Sequence, residues 1–182
     1  MKRIIVLMVM LCVSIPALAE TPVSQNVANT YYQTCMSRDD TRLSDETQDA
    51  MCSCTSARLM VAMNIEDIGA MKAEPGPGRT AYNKMMMDVY GPCLEYPIKE
   101  QLYNECMSDR KIKNFALRDQ NALCRCTSEK TALPLSTEGT EMMRTMLQRR
   151  PNLVDPMDSV LNDQGFREQA YNNLYSCLGV GN

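Results

Sequence analysis

Histidine is absent from all 182 residues, and the chain has no tryptophan and only two phenylalanines. Without histidine, neither a Ser-His-Asp triad nor a Cys-His pair can form, so the common hydrolytic arrangements are excluded. A phosphate-binding loop is also missing, because the Pro-Gly-Pro-Gly stretch at 75–78 lacks the lysine and the preceding strand that such a loop needs. The sequence therefore predicts a non-enzymatic protein with no catalytic residues and no cofactor.

Long apolar runs are scarce, and the one present lies at the amino terminus. A basic start at 1–3 precedes an apolar run at 4–15, and Ala17-Leu18-Ala19 supplies the small-x-small pattern that signal peptidase cleaves. The run is too short to span about 30 Å of hydrocarbon comfortably. We therefore expect a cleaved signal peptide over residues 1–19, export to a bacterial periplasm or secretion beyond it, and a mature chain that is not embedded in a membrane.

The net charge is negative. The full chain carries a net charge of −3, and loss of Lys2 and Arg3 with the signal peptide makes it −5. A negative protein repels a phosphate backbone, so nucleic acid is excluded as the main partner. The expected partner is another envelope or secreted protein.

Every cysteine after the signal peptide belongs to a pattern that occurs twice. Tyr-x-x-Cys-Met-Ser occurs at 32–37 and returns at 103–108, and Cys-x-Cys-Thr-Ser occurs at 52–56 and returns at 124–128. A Cys-Leu pair closes each copy. An even number of cysteines in an exported chain predicts a disulfide framework and not free thiols. The eight cysteines are Cys35, Cys52, Cys54, Cys93, Cys106, Cys124, Cys126 and Cys177.

The apolar periodicity is helical throughout, and strand alternation is missing. The sequence predicts an all-α fold built from a duplicated, disulfide-stapled module, with one copy at 20–97 and the other at 98–182. Each copy is expected to form three to four helices, and the two halves are expected to pack as one unit. The central and closing cysteines are 39 positions apart in the first copy and 51 in the second. A function specific to one half is therefore expected in the longer second insertion.

The spacing of the cysteines also bears on their pairing. Two helix positions separated by one residue point about 200° apart, so each Cys-x-Cys motif can reach one neighbour on each side. In the hairpin formed by the first two predicted helices, Cys35 lies closer to Cys52 than to Cys54 along the helix axis. The favoured pairs are Cys35–Cys52, Cys54–Cys93, Cys106–Cys124 and Cys126–Cys177. The pattern in which the two cysteines of each motif exchange partners stays open, because four cysteines allow three connectivities.

Several local signals predict where helices begin and end. The Gly-Pro dipeptide at 91–92 is predicted to end a helix just before a cysteine. The basic stretch at 109–115 is predicted to be a turn. Ser136 or Thr137 is predicted to cap the helix that follows Pro134.

Two groups of side chains are candidates for binding a partner. Arg110, Lys111 and Lys113 form a basic patch that could dock an acidic partner, although a solvated surface has the same composition. The other candidates are tyrosines on two helices, which we expect to edge a concave seam between the halves. The first helix is 82–90 and the second is 164–178. The candidate tyrosines are Tyr82 and Tyr90 on the first helix and Tyr171 and Tyr175 on the second.

The sequence thus predicts a binder, an inhibitor, an immunity-type protein or an envelope accessory protein on a rigid helical scaffold. The alternative is a copper(I)-binding or thiol-redox protein that uses the Cys-x-Cys motifs and methionine pairs such as Met60 with Met63. Methionine at helical spacing is more typical of a core, and redox dithiols usually lie on a βαβ frame that is not predicted here. No metal ligand is therefore assigned.

Overall fold

The structure, a computed structural model, describes residues 20–38, 40–72, 77–115 and 119–179. The predicted signal peptide at 1–19 lies outside the described residues. Within them the fold is all-helical, as predicted, and the only extended pairing is one antiparallel bridge between Pro22 and Asn64. The first copy contains α1 Gln25–Met36, α2 Asp45–Ala62, α3 Ile65–Ala70, α4 Pro77–Lys84, a π-helical segment Met85–Tyr90 and α5 Gly91–Cys93. The second contains α6 Glu95–Ser108, α7 Arg110–Phe115, α8 Gln120–Ala132, α9 Leu135–Arg149, α10 Pro156–Leu161 and α11 Gln164–Cys177.

Four disulfides tie these helices together. In each copy one central helix, α2 or α8, is linked to a neighbour on each side, as the 200° offset requires. The Cα atoms of the bridged cysteines are 5.5 to 6.0 Å apart, within the usual range. The pairs are Cys35–Cys52, Cys54–Cys93, Cys106–Cys124 and Cys126–Cys177, which is the favoured pairing. Four disulfides indicate an oxidising, extracytoplasmic environment.

The duplication extends to hydrogen bonds beside the first bridge of each copy. The side-chain amide of Gln48 donates to the carbonyls of Cys35 and Met36, at 3.2 Å in both cases. Gln120 donates to the two equivalent carbonyls of the second copy, at 3.1 and 3.0 Å. The last carbonyls of a helix have no partner within it, so each glutamine satisfies a helix end and braces the hairpin.

The two halves are joined by α9, which lies in the longer second insertion and packs across α5 and the π-helical segment. Their backbones touch at two glycines: a Cβ atom added to Gly91 would lie 2.7 Å from the carbonyl oxygen of Gly139. The main hydrophobic core surrounds this crossing and includes the fully buried Leu94, Ile98 and Met143. The halves therefore share one core.

The prediction that the Gly-Pro dipeptide ends a helix is wrong, because the helical backbone continues from α4 through Cys93. The amide of Gly91 bonds to the carbonyl of Met86, five residues back, so the backbone is widened just before Pro92. This wider turn accommodates a ring that would otherwise clash with the preceding turn of a regular helix. The glycine is needed for the approach of α9, not for a stop.

Two other local predictions are also wrong. The basic stretch at 109–115 contains a short helix, α7, and not only a turn. The helix after Pro134 begins without a side-chain cap, because the hydroxyls of Ser136 and Thr137 donate to the carbonyls of residues 133 and 134 instead. Only the second signal marks a helix start, and it places the N-cap two or three residues after the observed N-cap, Pro134.

Candidate binding groove

An open groove of about 350 Å³ lies on the second copy between α6, α10 and α11. We call it the α6–α11 groove. On α6 it extends from Gln101 to Asp109, about 12 Å at 1.5 Å per residue. Its floor is mainly apolar. The apolar residues of the floor are Leu102, Ile112, Met157, Leu161, Phe166, Ala170 and Leu174.

The wall formed by α11 follows from its sequence. Asp163 caps this helix by accepting a hydrogen bond from the backbone N–H of Phe166, at 3.1 Å. Phe166, Ala170 and Leu174 are four residues apart, so they share one face of the helix. Phe166 is buried at the base, while Ala170 and Leu174 are half-buried and open to the groove.

The rim is polar and carries both signs of charge. An apolar floor with a few polar groups around it is typical of a site that takes an apolar side chain of a ligand and orients the rest. The rim residues are Arg42, Gln101, Glu105, Asp109, Asp158, Asn162, Arg167 and Tyr171.

One side of the groove comes from the first copy, through the loop between α1 and α2. The guanidinium of Arg42 contacts the carboxylates of Asp40 at 2.7 Å, Asp155 at 3.0 Å and Asp158 at 3.3 Å. The last two belong to the cap and first turn of α10. The side chain of Gln101 also donates to the carbonyl of Arg42. The ion cluster therefore fixes this loop against the second half at one end of the groove.

The ion cluster around Arg42 makes the stability of the fold depend on pH. The hydrogen bond from Arg42 holds the pKa of Asp40 below its ordinary value of 3.8, so folding favours the ionised carboxylate. This contribution is complete above pH 3.8 and is lost as the pH falls further, through the lower pKa of the folded state.

We expect Arg42→Ala to lower the free energy of unfolding by about 1 kcal/mol near pH 7, since these groups are largely exposed and screened. The difference from wild type should shrink as the pH falls below 3.8. Denaturant unfolding across this pH range measures it. The control is Arg144→Ala, which removes an exposed pair with Glu141 within one helix and should change stability by less than about 0.5 kcal/mol. A loss of stability that does not change with pH would contradict the assignment of this effect to the interaction of Arg42 with Asp40.

One of the predicted binding residues lines this groove, and three others lie on a helix beside it. Tyr171 lies on its rim and is 56% exposed. Arg110, Lys111 and Lys113 are exposed on α7, and Ile112 between them contributes to the floor. One of the four tyrosines therefore lines the groove, and the basic patch lies on the helix that contributes Ile112 to it without lining it.

The other tyrosines lie elsewhere. Tyr175 is exposed on α11 directly after Leu174 and does not line the groove. Tyr82 and Tyr90 pack against the main core, and the hydroxyl of Tyr90 shares a hydrogen bond of 2.9 Å with that of Tyr31. Burial, and then Tyr90, raise the pKa of Tyr31 far above its usual value. The seam expected between the 82–90 and 164–178 helices is not the groove observed, since α11 packs mainly on α8 while the π-helical segment packs on α9 and α2.

The residues invoked for copper or redox chemistry have other contacts. All sulfur atoms of the two Cys-x-Cys motifs lie in disulfides to other helices. Met63 is buried in a second, smaller hydrophobic cluster with Val23, Leu59 and Val89, and Met60 packs against this cluster. Over the described ranges, no cluster of three or more acidic or cysteine side chains is arranged to hold a metal ion.

Sequence reasoning missed Arg42 and most of the groove floor. The one signal that pointed to this region is the longer second insertion, which contains α10 and most of α11. Among the helices of the described residues, none combines the length and apolar character needed to cross a bilayer. No protein-family model, curated protein or solved structure matches this chain significantly.

Proposed function

We propose that this chain is an exported, non-enzymatic protein-binding module, carried to the periplasm by its signal peptide, that holds a segment of another envelope or secreted protein in the α6–α11 groove. The observation that carries the proposal is the groove itself: an apolar floor, a polar rim and a basic helix beside it. Rims of this kind exclude water and orient a partner, while buried apolar anchors supply most of the affinity.

The disulfide frame supports the same function. The groove walls α6 and α11 are both bridged to α8, through Cys106–Cys124 and Cys126–Cys177. Walls that are held before binding lose less conformational freedom when a partner arrives, so a larger share of the contact energy appears as affinity. Within the described residues, the same frame leaves none of the eight bridged cysteines with a free thiol.

A bulky residue in the groove should abolish binding. We expect Ala170→Trp to reduce recovery of the partner at least about tenfold, because the indole fills the floor and displaces the anchor. The measurement is a pull-down from the envelope fraction of the source bacterium, with the oxidised mature chain as bait.

The matched control is Gln169→Trp, which adds the same side chain at the neighbouring exposed position of α11, outside the groove. It should leave recovery unchanged. Equal recovery with both variants would show that the partner binds another surface and would refute the proposed site.

A further inference from the structure

Charge is separated along the α6–α11 groove. At one end, Arg42 is surrounded by three carboxylates, so no positive charge is in surplus there. At the other end, α7 exposes Arg110, Lys111 and Lys113. In the part of the chain that the structure describes, none of these three bases forms an ion pair. Positive charge is therefore concentrated where α7 meets the floor.

The geometry of α7 places two of these bases beside the apolar floor. Successive helix residues are about 100° apart, so Lys111 and Lys113 project on either side of Ile112. Ile112 lines the groove, whereas both lysines are exposed. A ligand whose apolar side chain reaches Ile112 thus contacts a helix that carries exposed lysines at the positions before and after it.

Two carboxylates lie near this end and oppose the surplus only in part. Asp109 accepts a hydrogen bond of 2.7 Å from the backbone N–H of Lys111, which holds it at the start of α7. Glu105 is exposed on the rim one turn earlier, and its side chain makes no ion pair among the described residues. The three bases on α7 outnumber these two acids.

We propose that the groove takes a peptide segment of its partner in which a bulky apolar side chain is flanked by aspartate or glutamate. This inference rests on the proposed function and adds the chemistry of the ligand. The apolar side chain lies on the floor against Leu102 and Leu174, and the carboxylates lie over Lys111 and Lys113. Charge complementarity at a rim of this kind sets the rate and the specificity of association more than its final affinity.

A random dodecapeptide display library tests the ligand chemistry directly. Selection on the oxidised wild-type chain should enrich peptides that combine leucine or phenylalanine with several acidic residues. Selection on the triple variant R110E/K111E/K113E should enrich basic residues in place of acidic ones. Lys99→Glu reverses an exposed charge on α6 outside the groove and should select the same peptides as wild type.

Affinities of one selected acidic peptide provide the second measurement. Reversal of the three bases should weaken its binding about tenfold or more, since each exposed charge pair contributes a small amount and several add. Glu105→Gln removes the opposing carboxylate and should tighten binding by about twofold to threefold. Both effects should diminish at high salt, because exposed charges are screened within about 3 Å at 1 M ionic strength.

The outcomes separate the ligand chemistry from the proposed function. Peptides that bind in a manner sensitive to Ala170→Trp but show no acidic bias would overturn the acidic ligand and leave the groove as the binding site. Peptides insensitive to both Ala170→Trp and charge reversal would overturn both. Failure to select any peptide, together with self-association that Ala170→Trp abolishes, would assign the groove to a second copy of this chain and would also refute the acidic ligand.

Discussion

Replacing Cys126 and Cys177 together by serine should lower the free energy of unfolding by about 4 kcal/mol and should release α11 from the rest of the fold. The bridge closes a loop with a sequence separation of 51, the longest of the four, and loop-closure entropy grows with that length. α11 packs on α8, but little of its surface is fully buried. Phe166 is its one buried residue, and the side chains of Asn173 and Ser176 form hydrogen bonds to α8.

Hydrogen exchange and denaturant unfolding measure this expectation. Amides of α11 should exchange much faster in the Cys126→Ser/Cys177→Ser variant, and binding in the α6–α11 groove should be lost because α11 forms one wall.

The matched control is Cys35→Ser/Cys52→Ser, which opens a loop with a sequence separation of 17. It should lower stability by about 3 kcal/mol yet leave the exchange of α11 unchanged. The hairpin it opens keeps the brace from Gln48 and the hydrogen bond of 2.5 Å between Tyr32 and Asp49. If α11 were equally protected in both double variants, the bridge would not be what holds the groove wall.

The disulfide frame was predictable because its determinants are close in sequence. The Cys-x-Cys spacing fixes a 200° offset on one helix, and the hairpin length favours Cys52 over Cys54 as the partner of Cys35 without excluding the exchanged pattern. A repeated pattern then applies the same solution twice. Helical periodicity is local in the same way, which is why the all-α prediction is correct, although each copy contains more helical segments than the three to four predicted and the π-helical segment was not predicted.

The groove was not predictable, because its parts are distant in sequence. Arg42 meets Asp155 and Asp158 across sequence separations of 113 and 116, and no local pattern relates them. The floor combines side chains of α6, α7, α10 and α11, each of which has the periodicity of an ordinary core-facing helix. Sequence could identify the basic patch on α7 as exposed charge but could not show that Ile112 opens onto a shared floor.

The dipeptide at 91–92 shows how a tertiary contact can reverse a local signal. Glycine and proline together favour a helix end, and their propensities contain no information about α9. In the fold, the missing side chain of Gly91 is what permits close packing against Gly139. The absence of a Cβ atom favours a helix end when only the local sequence is considered. In the fold it instead permits two helices to pack closely, and this packing determines the structure at 91–92.

Replacing Gly139 by alanine should therefore destabilise the protein, although alanine is the better helix former. The new Cβ would meet the backbone carbonyl of Gly91 well inside van der Waals contact, and a backbone group followed by Pro92 cannot rotate away. The helices must separate, and the fully buried Met143 on the same helix loses contacts. Overpacking of this kind should lower the free energy of unfolding by about 3 kcal/mol, or the melting temperature by about 10 °C.

Gly69→Ala provides the matched control, because it makes the same change in an exposed helix position where no atom lies within 4 Å of the new Cβ. It should raise stability by up to about 1 kcal/mol through helix propensity alone. The double variant G91A/G139A adds a stricter test. Once the helices have moved apart for one methyl group, the second should have less effect, so the double loss should fall short of the sum of the single losses. Thermal melts of wild type and of the four variants G69A, G91A, G139A and G91A/G139A measure all of this, and a Gly139→Ala variant as stable as wild type would mean that α9 does not cross the first half at this contact.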